Sequence, residues 1–166
     1  MHQSDTRSDP SSQTTHSKSL VPVEQLILEV YETAHVSVRS RILSRLVGRV
    51  YESAPPATRR KLLEHLLRPL GLLSIAAVAN GAFAKVLSRG NWLDKSVPLD
   101  EVQNIQSGDV VTLVDYVLQV SGDAINGLAH LLTASPTLTS SAAATVLVTL
   151  LLQRASKRRS SDVNTD

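Results

Sequence analysis

The sequence predicts an all-α protein, with one helical-bundle domain of about six helices, a long central helix at residues 107–133 and disordered termini. Apolar residues recur at three- and four-residue spacing through most of residues 20–154. Only five residues are Phe, Trp or Tyr, so Leu, Val, Ile and Ala must fill the core. The chain has no cysteine, which excludes disulfides, thiolate catalysis and cysteine-ligated metal centres.

Both ends of the chain are predicted to lie outside this domain. Residues 1–19 are mostly Ser, Thr, Gln, Asp and His, and they cannot bury enough apolar surface to offset the entropy lost on ordering. No apolar run follows a basic start there, as a signal peptide would require. Residues 155–166 are basic and polar. We therefore expect a disordered arm at 1–19, a helical domain at 20–154 and a disordered tail at 155–166.

The first two predicted helices resemble each other. Pro22 suits a first helical turn, and the helical spacing that follows loses its phase near residues 35–38, which indicates a bend or break. The segment Leu26–Ala34 aligns with Leu46–Ala54 at an offset of twenty residues. Either an internal duplication or convergence on one amphipathic pattern explains this, and both give helices with equivalent faces.

Prolines divide the middle of the chain into separate predicted helices. The pair at residues 55–56 ends the second helix, and Thr58 is a plausible cap for a third helix that continues to about residue 67. Pro69 must kink or break this helix because it lacks an amide donor. Beyond it, an uncharged run predicts a helix from about residue 70 to 88, which ends before Gly90.

The central helix is predicted to begin at Ser107 as its cap and to run to residue 133. Its sequence Ser121-Gly122-Asp123 repeats its opening Ser107-Gly108-Asp109, so a kink or a fresh helix start at residue 121 stays open. Pro136 marks the start of the last helix, at 137–154. The pairs Asn80-Gly81 and Asn126-Gly127 each interrupt an apolar helix, which predicts that 77–84 crosses 122–130 near the two glycines.

A polar stripe follows one side of the central helix. Its members are three or four residues apart and therefore share a face. Oxygen and imidazole groups in such a row are typical of metal sites, but no second helix supplies matching acids or histidines, so no metal is predicted. The stripe, of unknown role, consists of Asp115, Gln119, Asp123, Asn126 and His130.

The formal net charge of +2 hides a strong asymmetry. From residue 39 to 89 there are ten Lys or Arg against two acids, whereas from 94 to 152 there are six acids against one Lys. A basic face of this kind suits a protein partner or an anionic surface. No aromatic interleaving supports nucleic-acid binding. The predicted partner-binding residues are Arg39, Arg41, Arg45, Arg49, Arg59, Arg60, Lys61 and Arg68.

Two uncharged or weakly charged segments, 70–87 and 137–153, are 17 or 18 residues long, at the short edge of a transmembrane span. We interpret both segments as buried helices of the bundle. A membrane-associated protein that uses them as a helical hairpin or as spans is the alternative interpretation.

No Gly-rich phosphate loop, Ser elbow or zinc-protease pattern is present, so we predict no enzyme, no catalytic residue and no cofactor. The sequence favours a non-enzymatic helical interaction or scaffolding protein with an Arg-rich docking face. Membrane association is the first alternative and nucleic-acid binding a weaker one. We expect a cytoplasmic location, on the membrane if the first alternative holds, and leave the oligomeric state open.

Overall fold

A computed structural model describes residues 22–90, 93–138 and 141–163. These residues contain no strand, which confirms the all-α class. Three short 3-10 helices occur at Val78–Gly81, Glu101–Asn104 and Pro136–Leu138. The α-helices are α1 (Val23–Thr33), α2 (Val36–Ser53), α3 (Pro56–Leu67), α4 (Leu72–Ala77), α5 (Ala82–Arg89), α6 (Ser107–Val120), α7 (Gly122–Thr133) and α8 (Ala142–Asp162).

The helices α2 and α6 form the centre of the bundle and pack most extensively against each other. α8 lies against α2 and α7, and α7 also contacts α3. The core between them is aliphatic, as the composition predicts, with Tyr51 and Phe83 as its largest fully buried side chains. Each fully buried Leu, Ile or Val contributes roughly 1.5–3 kcal/mol relative to an exposed one, so this core supplies the main stabilising term.

Two corners of similar shape begin and end α2. Ala34 and His35 are both extended between α1 and α2, with φ/ψ of −72/152° and −63/154°. Ala54 and Pro55 repeat this conformation between α2 and α3, with φ/ψ of −77/146° and −66/156°. Pro56 occupies the first turn of α3, where its missing amide has no partner to lose. The first break falls at the start of the stretch where the helical spacing loses its phase.

The helix predicted over 107–133 is two helices, not one. Ser121 leaves the helical conformation, with φ −148° and ψ 88°, and joins α6 to α7. Ser and Gly are weak helix formers, and Asp123 suits the first turn of a new helix, so the repeated Ser-Gly-Asp marks the break. The break lets α7 pack against α3 and α8. α6 itself begins one residue after Gln106, which forms a capping box with Asp109.

The helix predicted from residue 70 to 88 is also broken. α3 ends at Leu67 before Pro69, as predicted, and α4 begins at Leu72. Between α4 and α5, the residues Ala79, Asn80 and Gly81 take left-handed conformations with φ of 52°, 55° and 79°. Asn and Gly tolerate this region, whereas Ala pays a steric cost there. The spacing of apolar residues in the sequence does not indicate this left-handed turn.

The predicted crossing of 77–84 with 122–130 is wrong. A Cβ on Gly127 would meet the His65 ring of α3 at 2.9 Å, and the nearest heavy atom to one on Gly81 is the Ala76 carbonyl oxygen of its own segment. The glycine at the main helix crossing is Gly48 of α2, where a Cβ would lie 2.7 Å from Val111 of α6. Absence of a side chain there permits the close approach of the two central helices.

The predicted domain boundary at residue 154 falls inside a helix. α8 continues to Asp162, so residues 155–162 are helical. Ala, Lys and Arg are strong helix formers, and Arg158 forms an ion pair with Asp123 of α7. The charged and polar residues of this segment therefore belong to the surface of a helix and not to a disordered tail. The predicted arm at 1–19 lies outside the described residues. Within the segment 137–153, the side chains of Leu147, Leu150 and Leu151 are buried in the core.

Candidate functional site

The eight predicted basic residues do not act as one surface, because two of them hold the corners of α2. The guanidinium carbon of Arg39 lies 5.8 Å from the centroid of the Tyr31 ring, and Nη2 donates a hydrogen bond to the Glu32 carbonyl at 2.6 Å. Arg59 repeats both contacts with Tyr51, at 5.3 Å, and with the Glu52 carbonyl, at 2.6 Å. These two arginines serve the fold.

The other six basic side chains divide between two helices. Arg41, Arg45 and Arg49 are exposed on α2, and Arg49 lies 3.8 Å from Glu52 in a solvent-exposed ion pair. On α3, Arg60 lies 3.8 Å from Glu64. The Arg49 pair is exposed and the Arg60 pair is half-buried. An exposed pair contributes little to stability, so the charge of Arg49 can serve a ligand. The remaining two, Lys61 and Arg68, are exposed on α3 and just after its end.

An apolar groove of about 380 Å³ lies between α1 and α2, and we call it the α1–α2 groove. Val23, Leu26 and Val30 of α1 line it and are 66%, 46% and 52% exposed. Arg45 and Arg49 line it from α2. In α1, Tyr31 is buried and Ile27 and Leu28 are half-buried against the core, whereas the other apolar side chains of this helix are exposed along the groove. The groove combines an apolar floor with two exposed cations. Its other lining residues are Ile27, Ile42 and Leu46.

The polar stripe predicted on the central helix is divided by the break at Ser121. Asp115 accepts a hydrogen bond from the Ser44 hydroxyl of α2, which is fully buried, so it serves helix packing. Gln119 is exposed near the end of α6. Asp123, Asn126 and His130 lie on α7. In the described part of the chain, no three His, Asp or Glu side chains come together as a metal site would require.

The α7 members of the stripe line a cavity of about 1010 Å³, which we call the α7–α8 cleft. Asp123, Asn126 and His130 line it from α7, and Arg39 from α2. Its third side is the C-terminal half of α8. The residues contributed by α8 include Leu151, Leu152, Arg154, Lys157, Arg158 and Arg159. The cleft therefore joins part of the polar stripe to basic residues of the predicted tail.

Two polar contacts that the sequence did not predict fix the connection before α6. The Tyr51 hydroxyl donates a hydrogen bond to the Val102 carbonyl at 2.8 Å, and burial raises the pKa of this hydroxyl to about 12. Glu101 accepts hydrogen bonds from Arg89 and Asn104, and the Arg89 contact lowers the pKa of the Glu101 carboxyl. The two contacts tie the 3-10 helix at 101–104 to α2 and α5.

His65 connects α3 to α7. Its ring is half-buried, and Nε2 donates a hydrogen bond to the Ala124 carbonyl of α7 at 2.8 Å. Because the carbonyl can only accept, the proton must lie on Nε2. Gly127 provides the space for this ring. The contact joins α3 to α7 and assigns His65 a packing role.

Within the described residues, one segment is long and apolar enough to cross a membrane by length and composition, at Leu72–Arg89. It overlaps the predicted segment 70–87. About 28% of it is buried in the bundle. The left-handed residues at 79–81 divide it into α4 and α5, so it is not one continuous helix.

No family model matches the sequence, and no curated protein and no solved structure matches it.

Proposed function

We propose that the protein is a non-enzymatic helical interaction module, and that its α1–α2 groove binds an amphipathic helix with acidic residues on a partner protein. One observation carries the proposal: exposed Val23, Leu26 and Val30 face a groove that Arg45 and Arg49 flank. Helix-in-groove recognition uses such a pairing of apolar anchors with a polar rim. Of the eight predicted partner-binding residues, this proposal keeps only Arg45 and Arg49, which line the groove.

The apolar floor supplies affinity. α1 displays its apolar residues at positions 23, 26, 27 and 30, which form a continuous helical stripe. Burial of apolar surface contributes about 25 cal/mol per Å², and a contiguous exposed patch of this kind is typical of an interaction site. A partner helix that inserts apolar side chains between α1 and α2 removes this surface from water.

The two arginines supply selectivity. Charged groups at the rim of an interface steer partners of opposite charge and discourage those of like charge. Arg45 and Arg49 are exposed, and within the described part of the chain only Arg49 pairs with a carboxylate, that of Glu52 at 3.8 Å. An acidic partner is therefore favoured, and its association should weaken as salt screens the charges.

The test uses two synthetic amphipathic peptides with the same apolar face and either Glu or Lys on the polar face. Fluorescence anisotropy should give tighter binding of the Glu peptide by about tenfold, the result of roughly 1.4 kcal/mol from two rim charges. The double variant Arg45→Gln/Arg49→Gln should lose this preference. Arg41→Gln is the matched control, since Arg41 is exposed on α2 but is not among the groove-lining residues.

Val30→Asn should weaken both peptides equally because it reduces the apolar floor without changing the charge. Equal binding of the Glu and Lys peptides, or unchanged binding to Val30→Asn, would contradict the proposal. Preference for duplex DNA over both peptides, with a steep salt dependence, would favour the weaker nucleic-acid alternative.

A second candidate function is membrane association through the segment 72–89. Leu72 and Leu73 at the start of α4 are 46% and 88% exposed, and the whole segment is apolar enough to enter a bilayer. Sedimentation with vesicles of phosphatidylcholine and phosphatidylserine tests this candidate. Binding that Leu72→Asn/Leu73→Asn abolishes would support it, whereas a protein that stays in the supernatant would exclude it.

A further inference from the structure

We propose that the α7–α8 cleft binds a small amphiphile that carries a phosphate group, at a site separate from the α1–α2 groove. Its volume of about 1010 Å³ lies at the upper end of the range of small-molecule pockets, roughly 300–1,000 Å³. Such a cavity holds a whole ligand and not just one side chain of a partner. The proposal does not depend on the function proposed for the groove.

Positive charge dominates the cleft. Five cationic side chains line it against one carboxylate, Asp123, so its formal charge is +4 with histidine neutral (5 − 1). Arg158 pairs with Asp123, and Arg39 is committed to the Glu32 carbonyl. The other cations have no carboxylate partner among the described residues, and they are Arg154, Lys157 and Arg159.

The cations converge on one part of the cleft. A Cβ placed on Gly122 would lie 2.6 Å from Nη2 of Arg158 and 3.2 Å from Nη2 of Arg154, so both guanidinium groups lie over the start of α7. Lys157 and Arg154 are three residues apart and share a helix face. Guanidinium and ammonium groups gathered in this way favour a phosphate, which accepts several charge-assisted hydrogen bonds at once.

Apolar side chains form another part of the lining. Tyr31 and Val36 contribute from the α1–α2 corner, Leu118 from α6, and Leu151 and Leu152 from α8. A purely ionic ligand would leave this surface in water. An apolar body attached to the phosphate covers it, and this second contact separates the proposed ligand from free inorganic phosphate.

Three polar atoms of lining residues are buried without a hydrogen-bond partner among the described residues, namely Arg39 Nε, Asn126 Oδ1 and Arg154 Nε. Buried polar groups are nearly always paired in folded proteins, so an unpaired one calls for a partner outside the chain. These atoms are one acceptor and two donors. The two donors match the phosphate oxygens of a ligand, and the acceptor matches a neighbouring hydroxyl.

Isothermal titration calorimetry of the full chain with octyl phosphate, inorganic phosphate and 1-octanol tests the proposal. Octyl phosphate should bind at least about tenfold more tightly than either part alone, since the head and the body contact different surfaces. Arg154→Gln/Lys157→Gln should weaken octyl phosphate by about tenfold or more and leave 1-octanol unchanged. Leu152→Asn, at a side chain that is 55% exposed, should weaken both alkyl ligands without unfolding the protein.

Arg45→Gln/Arg49→Gln is the matched control, because it removes the same charge from the α1–α2 groove and should leave octyl phosphate affinity unchanged. If this control loses octyl phosphate binding while Arg154→Gln/Lys157→Gln keeps it, the binding site is the α1–α2 groove and the proposal is overturned. Equal affinity for inorganic phosphate and octyl phosphate, or no binding of octyl phosphate, would also overturn it.

A second arm separates a soluble phosphorylated ligand from a lipid headgroup. Vesicles of phosphatidylcholine with phosphatidic acid present the same phosphate at a membrane surface. Co-sedimentation that Arg154→Gln/Lys157→Gln abolishes would assign the cleft to a lipid headgroup. Octyl phosphate binding without co-sedimentation would assign it to a soluble ligand.

Discussion

Arg39 and Arg59, twenty residues apart, make the same two contacts at the two ends of α2. Each guanidinium stacks on a tyrosine eight residues before it and donates a hydrogen bond to the carbonyl of the next residue, Glu32 or Glu52. The offset equals that between the similar segments Leu26–Ala34 and Leu46–Ala54. The similarity therefore extends past the helices into the corners that follow them, which favours the duplication interpretation.

Loss of the Arg59 contact should destabilise the fold. Its guanidinium also donates through Nε to the Ala54 carbonyl at 2.8 Å. Charge-assisted hydrogen bonds and a stacked ring together predict a loss of about 1–3 kcal/mol for Arg59→Gln. Arg41→Gln, at an exposed position on α2, should stay within about 0.5 kcal/mol of the parent in urea unfolding. Equal stability of the two variants would show that the corner contact contributes nothing.

The crossing of α2 and α6 should not tolerate a side chain at residue 48. A Cβ there would lie 2.7 Å from Val111 Cγ2 and 3.3 Å from the Ser107 carbonyl oxygen. Overpacking should cost Gly48→Ala about 1–3 kcal/mol, of which the better helix propensity of Ala offsets roughly 1 kcal/mol. The net loss in the free energy of unfolding should therefore reach about 2 kcal/mol.

Gly108→Ala is the control for this prediction, because nothing lies within 4 Å of a Cβ at that position in the first turn of α6. It should leave the melting temperature unchanged or raise it slightly. Adding Val111→Ala to Gly48→Ala should recover part of the loss, since it removes the nearest clashing atom. A stable Gly48→Ala protein would mean that the two helices are further apart.

Alkaline pH should expose the buried hydroxyl of Tyr51. Its pKa of about 12 in the folded protein exceeds the ordinary value of 10.0 because burial disfavours the tyrosinate. The stabilisation from this group is therefore complete below about pH 10 and is lost as the pH rises through about 12. Tyr51→Phe should cost about 1 kcal/mol at neutral pH through the lost Val102 hydrogen bond.

The measurement is denaturant unfolding of both proteins at a series of pH values. The advantage of the parent over Tyr51→Phe should shrink as the pH rises from 10 to 12. A constant difference across this range would show that Tyr51 titrates in the folded protein at its ordinary pKa.

Glycine at residue 79 should stabilise the protein. Ala79 has φ of 52° and ψ of 44°, a region that costs a residue with a Cβ roughly 1–2 kcal/mol. Ala79→Gly should relieve this strain and raise the free energy of unfolding by about 0.5–1 kcal/mol after the greater entropy of the unfolded glycine is offset. In a continuous helix over 72–89, the same change would instead cost about 1 kcal/mol. The sign of the effect in thermal unfolding thus decides between a broken segment and an unbroken one.

The helical class and most chain breaks were predictable because periodicity and proline act locally. Pro69 and the pair at 55–56 end helices by their own chemistry, and the repeated Ser-Gly-Asp at residue 121 was a visible signal for a fresh start. The left-handed turn at Ala79 was not predictable, because alanine is the strongest helix former and only its neighbours Asn80 and Gly81 favour that conformation.

The candidate sites were harder to predict. Helical spacing indicates which residues share a face, but it does not indicate which other helix packs against that face. Asp115 and Asp123 belong to one predicted stripe, but the break at Ser121 places them on different helices. Asp115 accepts a hydrogen bond from Ser44, whereas Asp123 forms an ion pair with Arg158. The structural role of Arg39 and Arg59 had a signal in the sequence. Extending the twenty-residue alignment by five positions pairs these two arginines and shows that each follows a tyrosine by eight residues.

α1 buries a single residue, Tyr31, although it is eleven residues long. Ile27 and Leu28 are only half-buried against the core, and the other apolar side chains of α1 are exposed. Such a helix is a candidate for local unfolding, in which it detaches while the α2–α6 centre stays folded. Its amide hydrogens should then exchange with solvent faster than those of α2. Since one wall of the α1–α2 groove belongs to α1, the groove exists only in the docked fraction of molecules. A partner's measured affinity therefore includes the free energy of keeping α1 in place, and mutations that loosen Tyr31 should weaken binding without touching the partner.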